Sequence, residues 1–164
     1  MKGLRWVVSD GGILPHYDRA KINFDGSVQS NSAAGEFIIR NSLGNALAAT
    51  TFNAGSTTVP VAKALALRNS LIEAKRRGFT KVEIEGDSKL VLDAVNGRST
   101  PLWRIRKLCQ DIKALRSSFK YVSFKHVFRE TNFMANVFTN PDHRLENHRV
   151  WEECVPICGA SFNL

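Results

Sequence analysis

Alternating apolar and polar positions predict three strands in the first third of the chain. Within residues 20–28, Ile22 and Phe24 alternate with polar neighbours, which is the period of two of a half-buried strand. Apolar-rich segments at residues 36–40 and 46–52 follow, separated by the turn-forming letters NSLGN. This pattern predicts three antiparallel strands joined as a meander.

Helical spacing begins after the third strand. Thr57 or Thr58 can cap a helix, Pro60 suits its first turn, and Gly78 ends it. The remaining predicted elements are a strand at 81–87, a short helix at 88–97, a longer helix at 101–118, a strand at 120–127 and a final helix from about residue 132. In the longer helix, one apolar stripe comprises Leu102, Ile105, Leu108, Cys109, Ile112 and Leu115. This order of elements predicts an α/β fold, a sheet with helices on its faces.

The length of 164 residues fits one compact domain with a core of its own. We expect a leader at residues 1–19, the domain at 20–140, and an extension at 141–164 that packs on the same domain. The net charge of +8 favours a polyanionic partner such as nucleic acid, although a merely soluble basic protein is an equal alternative. No apolar run is long enough to cross a bilayer, so no membrane partner is expected. Three cysteines, an odd number, favour a reducing compartment, the cytoplasm or the nucleus.

Two acids are placed where chemistry is common in α/β proteins. Asp25 and Asp87 each lie at the end of a predicted strand, the edge at which ligands gather in open sheets. Two carboxylates brought together there repel each other and need a cation or a proton, and magnesium is the obvious cation. The structural alternative is that Asp25 opens a turn and that Asp87 caps the helix at Ser88.

The ordered motifs DGS, EGDS and HVFRETN carry a family resemblance. With them, the chain from about Trp6 to the C-terminus resembles ribonuclease H domains of the plant retroelement type. The resemblance implies a mixed five-stranded sheet with strands one to three antiparallel and helices on both faces. It also implies a ribonuclease that cuts the RNA of RNA–DNA hybrids, with four acids holding two magnesium ions.

Two of those four positions match the family and two depart from it. Asp25 and Asp87 match the acids of DGS and EGDS. Lys63, within AKALAL, takes the place of the glutamate of the first helix, and Asn136 that of the last aspartate. Four carboxylates would give the site a charge of −4, whereas two carboxylates and one ammonium give −1. The resemblance therefore implies at most weak magnesium binding by Asp25 and Asp87.

Helical spacing places Lys63 on the inward face of the first helix rather than on a solvated one. The stripe that it shares comprises Ala64, Leu67, Ser70, Leu71 and Ala74. We hypothesise that the Lys63 ammonium occupies the room of a metal ion between the two acids. The alternative is that its long stem carries the amine out to solvent.

Four other acids are candidates to replace the missing ligand, and a separate group of histidines and cysteines has the residue types of a zinc site. The acids are Glu36, Glu73, Glu85 and Glu130, of which Glu85 shares strand parity with Asp87 and Glu73 lies off the inward stripe. None restores the ligand of the first helix. A zinc site is conceivable from His143, His148, Cys154 and Cys158, but their spacing fits no strong zinc pattern.

Nucleic-acid contacts are expected from basic residues and from the family motifs. Arg76 and Arg77 end the first helix, and further basic residues decorate the longer helix. Such charges would meet phosphates without reading bases, and a solvated face is the competing account. The resemblance implies a contact role for Ser27, Arg129 and Asn132.

Three functions follow as hypotheses. The first is a nucleic-acid-binding pseudoenzyme, retroelement-derived, that holds RNA–DNA hybrid or structured RNA without cutting it. The second is a weakly active, magnesium-dependent endoribonuclease, and the third is a module that binds a protein partner on the same scaffold. Positions 25, 63, 87 and 136 separate the enzyme from the other two. The sequence does not separate nucleic acid from protein as the partner.

Overall fold

All five predicted strands form in the computed structural model. The structure describes residues 19–129 and 132, and gives the backbone alone of residues 149–152 and 161–162. The strands are β1 (Arg19–Gln29), β2 (Ser32–Arg40), β3 (Ala46–Gly55), β4 (Lys81–Gly86) and β5 (Tyr121–His126). The helices are α1 (Val59–Arg76), α2 (Lys89–Val95) and α3 (Arg106–Arg116), with a 3₁₀ turn at Trp103–Ile105.

The five strands form the mixed sheet that the sequence predicts. β1 and β2 are antiparallel, as are β2 and β3, whereas β4 runs parallel to β1 and β5 runs parallel to β4. Two short strands that were not predicted, β6 (Arg149–Glu152) and β7 (Ser161–Phe162), widen the sheet beyond β3. Strands of four and two residues are too short to show a period of two in the sequence.

The described helices pack over one face of the sheet. A single core cluster joins strand positions such as Ile22, Phe24 and Ile84 to residues of all three helices, among them Leu67 and Ile112. On β1, the alternate positions Asn23 and Asp25 point to the other face and are also buried. The final predicted helix lies outside the described residues apart from Asn132, as do residues 1–18 and most of 141–164.

The bounds of α1 follow its sequence signals. Pro60 lies in the first turn, and Thr58 takes the cap position, although its side chain makes no capping hydrogen bond. At the other end Gly78 adopts a φ of +84°, and its N–H donates to the Lys75 carbonyl at 3.0 Å. The N–H of Phe79 reaches back to the Ala74 carbonyl at 3.1 Å, which completes a Schellman motif. The predicted stop at Gly78 is confirmed.

The longer predicted helix is shorter than expected. Ile105, Cys109 and Ile112 of the predicted apolar stripe are buried, but Leu102 is 49% exposed. Leu102 has φ −55° and ψ 145°, so it is still extended when the 3₁₀ turn begins and does not share the helical stripe. None of the described helices is long and apolar enough to cross a membrane.

Candidate functional site

Strand pairing brings Asp25 and Asp87 to the same edge. β4 ends at Gly86, which pairs with Phe24, so Asp25 is the first residue of β1 that has no partner on β4. Asp87 follows β4 directly, and its side chain therefore emerges at the place where β1 loses its neighbour. The strand-end position expected from the sequence is correct for Asp87 but not for Asp25, because β1 continues to Gln29 in pairing with β2.

Gly26 allows the first turn of α1 to lie against β1 beside these acids. A Cβ atom at Gly26 would lie 2.6 Å from the backbone nitrogen of Lys63 and 2.7 Å from the carbonyl carbon of Ala62. Real Cβ atoms essentially never come this close to backbone, so the close approach of helix and strand needs glycine. The glycine of the DGS motif thus sets the position from which Lys63 reaches its partners.

The Lys63 ammonium lies within ion-pair distance of both carboxylates. Its Nζ is 3.0 Å from Asp25 Oδ1 and 2.5 Å from Asp87 Oδ1. The three side chains are 13%, 7% and 10% exposed for Lys63, Asp25 and Asp87 respectively, so the cluster is largely desolvated. The Lys63 side chain points inward, and the solvent-directed alternative is not what the structure shows. The helix α2 is capped by Ser88 itself, whose hydroxyl accepts from the Val91 N–H, so Asp87 is free of that role.

Burial dominates the electrostatics of Asp25. Desolvation raises the pKa of Asp25, and the Lys63 ammonium opposes this by lowering it. The negative charge of Asp87 raises the pKa further, while the Gly26 N–H, 2.7 Å from Oδ1, lowers it. The net direction is upward, which fits a carboxyl group that is nearly removed from water.

This cluster does not fit a magnesium ion. Magnesium takes hard oxygen ligands in near-ideal octahedral geometry, and an ammonium among those ligands repels a dication. In residues 19–129, no group of three or more histidine, cysteine, aspartate or glutamate side chains is arranged to hold a metal. Asn136, which takes the place of the fourth acid of the family, and the conceivable zinc site from His143 to Cys158 lie outside the described residues.

Glu36 is a buried acid beside the cluster. It pairs with Asp25 across β1 and β2, and only 2% of it is exposed. Neither carboxyl oxygen has a hydrogen-bond partner in the described part of the chain. Burial, with a smaller contribution from the charge of Asp25, raises the pKa of Glu36 to about 9. Glu36 is therefore neutral at pH 7 and supplies no charge to a cation.

The other acids weighed as substitutes are engaged elsewhere. Glu85 lies 3.0 Å from the Lys21 ammonium. Glu73 accepts from Arg76 at 2.7 Å and from Arg77 at 2.6 Å, which lowers its pKa against the effect of its burial. Glu130 lies outside the described residues.

The expected nucleic-acid contacts differ in accessibility. Ser27, two residues beyond Asp25 on the same face, is half-buried, and Arg129 is exposed. The Arg76 side chain is 46% exposed, but that of Arg77 is only 12% exposed, and both contact Glu73. Arg129 and Arg76 therefore present the larger surfaces to a phosphate backbone.

Asn132 has no surface with which to contact a ligand. It is fully buried, and its Nδ2 donates to the Phe24 carbonyl at 2.9 Å. Its Oδ1 accepts from Asn23 at 3.2 Å. The contact role implied for Asn132 is corrected to a structural one, because this amide fastens the segment after β5 to the middle of β1. Sequence analysis could not find the partner Asn23, which lies 109 residues away in the chain.

His126 is a neighbour of the cluster that sequence analysis did not single out. Its Nε2 lies 3.2 Å from the backbone carbonyl of Asp87, and because a carbonyl only accepts, the ring donates. The ring also meets Phe128 edge-on, with centroids 5.9 Å apart. Its position at the end of β5, next to the end of β4, was the available signal.

Comparison with known proteins agrees with this fold. The model of the family described as "Reverse transcriptase-like" matches residues 23–141. No curated protein matches the chain significantly. Ribonuclease H1 from the halophilic archaeon Halobacterium salinarum is 29% identical, with a TM-score of 0.69 over 73% of this chain and 92% of its own.

Two further solved structures share the fold. The N-terminal ribonuclease H domain of a Mycobacterium tuberculosis protein, solved as a fusion with maltose-binding protein, is 26% identical, with a TM-score of 0.72, and covers 77% of this chain and 94% of its own. LC11 ribonuclease H1, from compost, was solved in complex with an RNA/DNA hybrid and is 24% identical, with a TM-score of 0.67 over 72% of this chain and 91% of its own. With a family match over most of its length and a ribonuclease H fold around Asp25 and Asp87, the chain belongs to the reverse transcriptase-like family of ribonuclease H-like domains.

Proposed function

We propose that this domain binds nucleic acid, RNA–DNA hybrid or structured RNA, and that Lys63 blocks the centre at which ribonuclease H-like enzymes cleave. The observation that carries the proposal is the Lys63 ammonium, 3.0 Å from Asp25 and 2.5 Å from Asp87. A group with one positive charge and no oxygen to donate fills the room between the two retained acids.

The charge of the site supports the loss of metal-dependent cleavage. Two carboxylates and one ammonium leave a local charge of −1, and Glu36 adds none while it keeps its proton. Two magnesium ions need several anionic oxygens to offset their charge at close range. A metal ion would first have to displace Lys63 from both carboxylates.

The surface of the domain supports nucleic-acid binding. The net charge of the chain is +8, and five basic side chains around α3 are exposed: Arg104, Arg106, Lys107, Lys113 and Arg116. Charges of this kind hold a phosphate backbone without reading its sequence. A protein of the same fold, LC11 ribonuclease H1, has been solved with an RNA/DNA hybrid bound.

One observation favours a second candidate, a weakly active magnesium-dependent ribonuclease. Asp25 and Asp87 are both retained and lie together where β4 ends beside β1. Displacement of the Lys63 amine into solvent would leave them available to a single ion. This candidate requires cleavage that rises with the concentration of magnesium or manganese and is lost in Asp25→Asn.

The binding half of the proposal is tested with a fluorescently labelled RNA–DNA hybrid, a duplex RNA and a duplex DNA, titrated by polarisation at several salt concentrations. We expect binding to hybrid or duplex RNA that weakens as salt rises, because counterions are released from the phosphates. Failure of all three to bind at low salt would contradict it and favour a protein partner instead. Asp25→Asn serves as the matched control, since it alters the cluster without touching the basic surface.

A further inference from the structure

A second charged region lies at the opposite end of β1 from the lysine cluster. There the start of β1, the end of β2 and the turn that follows β2 enclose a pocket of about 620 Å³. Its lining comprises Arg19, Ala20, Lys21, Arg40, Asn41, Ser42, Gly44 and Glu83. Asp25 is six residues further along the strand than Arg19, roughly 20 Å at the rise of extended chain. The two regions are therefore separate sites.

The lining of this pocket carries more positive than negative charge. Arg19, Lys21 and Arg40 contribute three cations against the single carboxylate of Glu83. Glu85 is not part of the lining, but it lies 3.0 Å from the Lys21 ammonium and offsets one of these charges. A net excess of one positive charge remains in a concave place, where field lines are concentrated. An anionic ligand is the natural complement of such a pocket.

Arg40 is the cation with the least internal compensation. Its Nη1 donates to the Asn23 amide oxygen at 3.3 Å, but its Nη2 is buried and has no hydrogen-bond partner in the described part of the chain. No carboxylate of the described residues lies within ion-pair distance of its guanidinium group. Burial lowers the pKa of Arg40, and the charge of Glu85 opposes this from a longer distance. A buried charged donor without an acceptor is unfavourable, so the guanidinium group is incompletely satisfied within the described part of the chain.

Arg19 repeats this feature on the other side of the pocket. One of its terminal nitrogens lies 3.0 Å from Glu83, while its Nε is buried and has no partner in the described part of the chain. Lys21 is paired with Glu85 at 3.0 Å but is 45% exposed, so its ammonium keeps free donors toward solvent. Two guanidinium groups thus leave one buried donor each beside the same cavity.

The turn that closes the pocket is held rigidly by its own hydrogen bonds. The Asn41 side-chain oxygen accepts from the N–H groups of Leu43 and Asn45 at 3.0 and 2.9 Å. Gly44 takes a φ of +85°, and its N–H donates to the Asn41 carbonyl at 3.0 Å. A preformed wall means that little order has to be imposed when a ligand binds.

We infer that this pocket binds a phosphate group. A terminal phosphate carries about −1.5 to −2 near neutral pH and a backbone phosphodiester carries one negative charge, so either complements the positive lining. The several oxygens of a phosphate accept from planar guanidinium groups in pairs, as the buried nitrogens of Arg40 and Arg19 require. The phosphate belongs either to a free nucleotide end or to the backbone of a polynucleotide. The inference does not depend on the proposed loss of cleavage, because the pocket lies at the other end of the sheet.

The test measures binding of inorganic phosphate to the wild-type chain by NMR titration, against chloride at equal ionic strength. We expect phosphate to shift the amide signals of residues 19–21 and 40–44 in a saturable way. Arg40→Gln should weaken this binding roughly tenfold or more, because it removes a charged fork from the ligand. Arg40→Lys keeps the charge, and circular dichroism of both variants verifies the fold.

Arg98→Gln is the matched control, since it removes one positive charge from a side chain that is 71% exposed and lies outside the pocket. It should bind phosphate as the wild type does. Equal shifts with chloride, or equal binding by Arg40→Gln and Arg98→Gln, would overturn the inference.

The source of the phosphate is identified with one oligonucleotide prepared with a 5′-phosphate and with a 5′-hydroxyl. If Arg40→Gln weakens binding of the phosphorylated form alone, the pocket takes a terminal phosphate. If it weakens both forms equally, the pocket takes a backbone phosphate. If it weakens neither, the pocket does not take the phosphate of a polynucleotide, and inorganic phosphate binding alone would then identify a free nucleotide or phosphate ion as its ligand.

Discussion

The two ends of β1 carry opposite arrangements of charge. At the end near Asp25, two carboxylates enclose one ammonium, and the three side chains are at most 13% exposed. At the end near Arg19, three cations line an open pocket with one carboxylate, and one buried nitrogen each of Arg19 and Arg40 lacks a partner within the described part of the chain. In the first region, each charged group is paired with an opposite charge of the same chain. In the second, positive charge on the pocket lining remains for an anionic ligand.

The difference teaches that a charged residue type does not by itself make a binding site. Asp25 and Asp87 belong to the motifs that suggest metal binding, yet a lysine of the same chain compensates them. Arg40 belongs to none of the motifs that suggested function, and among the described residues no carboxylate is paired with it directly, although the charge of Glu85 acts on it from a longer distance. What decides is whether partners are present within the fold.

Removal of the Lys63 ammonium should have the largest effect on stability. In Lys63→Met, Asp25 and Asp87 face each other without a cation, and we expect a loss of about 3–5 kcal/mol in the free energy of unfolding at pH 8. The loss should be smaller at pH 5, where one acid can hold a proton. Urea unfolding at both pH values measures it.

Lys89→Met is the control for that prediction. Lys89 pairs with Asp93, but its side chain is 72% exposed. Exposed pairs contribute about 0–1 kcal/mol. Equal losses in Lys63→Met and Lys89→Met would contradict the view that the cluster is a compensated buried site.

Gly26→Ala should perturb the same end through packing rather than charge. The added methyl group would meet the backbone of α1 at Lys63, and such overpacking costs about 1–3 kcal/mol. Because the helix must move away from β1, the ion pairs of Lys63 should weaken as well. The double variant Gly26→Ala/Lys63→Met should then lose less free energy of unfolding than the sum of the losses of the two single variants. Strictly additive losses would show that the packing at Gly26 and the ion pairs of Lys63 are independent.

Glu36→Gln should change how stability depends on pH. The pKa of Glu36 rises from 4.5 to about 9 on folding, so between these values the folded chain binds a proton that the unfolded chain has released. Stability contributed by this proton is present at low pH and is lost as pH rises, by up to about 1.4 kcal/mol per pH unit. Unfolding measured at pH 5.5 and 7.5 should show that the variant gains on the wild type as pH rises. A constant difference would mean that Glu36 ionises normally.

The smallest expected effect is a difference in hybrid affinity between variants of an exposed arginine and of an arginine that is paired with a carboxylate. Arg129→Gln removes an exposed charge and should weaken hybrid binding by roughly threefold. Arg77→Gln removes a charge that is 12% exposed and held by Glu73, so it should change affinity less than about twofold. Polarisation titrations at fixed salt measure both. If Arg77→Gln weakened hybrid binding more than Arg129→Gln does, Glu73 would not be keeping Arg77 from the phosphates.

Local pattern was sufficient for the parts of the fold that depend on local sequence. The parity of β1, the stop at Gly78 and the inward stripe that includes Leu67 follow from residues close together in the chain, and the structure confirms them. The motifs also placed Asp25, Asp87 and Lys63 at one site. β6 and β7 were missed because short edge strands leave no period to detect.

Features that depend on distant pairing could not be predicted. The raised pKa of Glu36 arises from its burial and, to a smaller extent, from the charge of Asp25 opposite it, and Asn132 is hydrogen-bonded to Asn23, 109 residues earlier. The pocket around Arg40 requires the register of β1 against β2. A sequence motif specifies residue types at nearby positions. Whether a charged side chain is paired depends on which residues from distant parts of the chain contact it in the fold.

The most direct test of the central claim is cleavage of an RNA–DNA hybrid with magnesium or manganese by the wild type and by the double variant Lys63→Glu/Asn136→Asp. Hybrid binding by both proteins is measured in parallel as the control. If Lys63 blocks the centre, the wild type binds without cutting, the double variant cuts, and Asp25→Asn in that background abolishes the cutting. Robust cleavage by the wild type that is abolished by Asp25→Asn would contradict the claim.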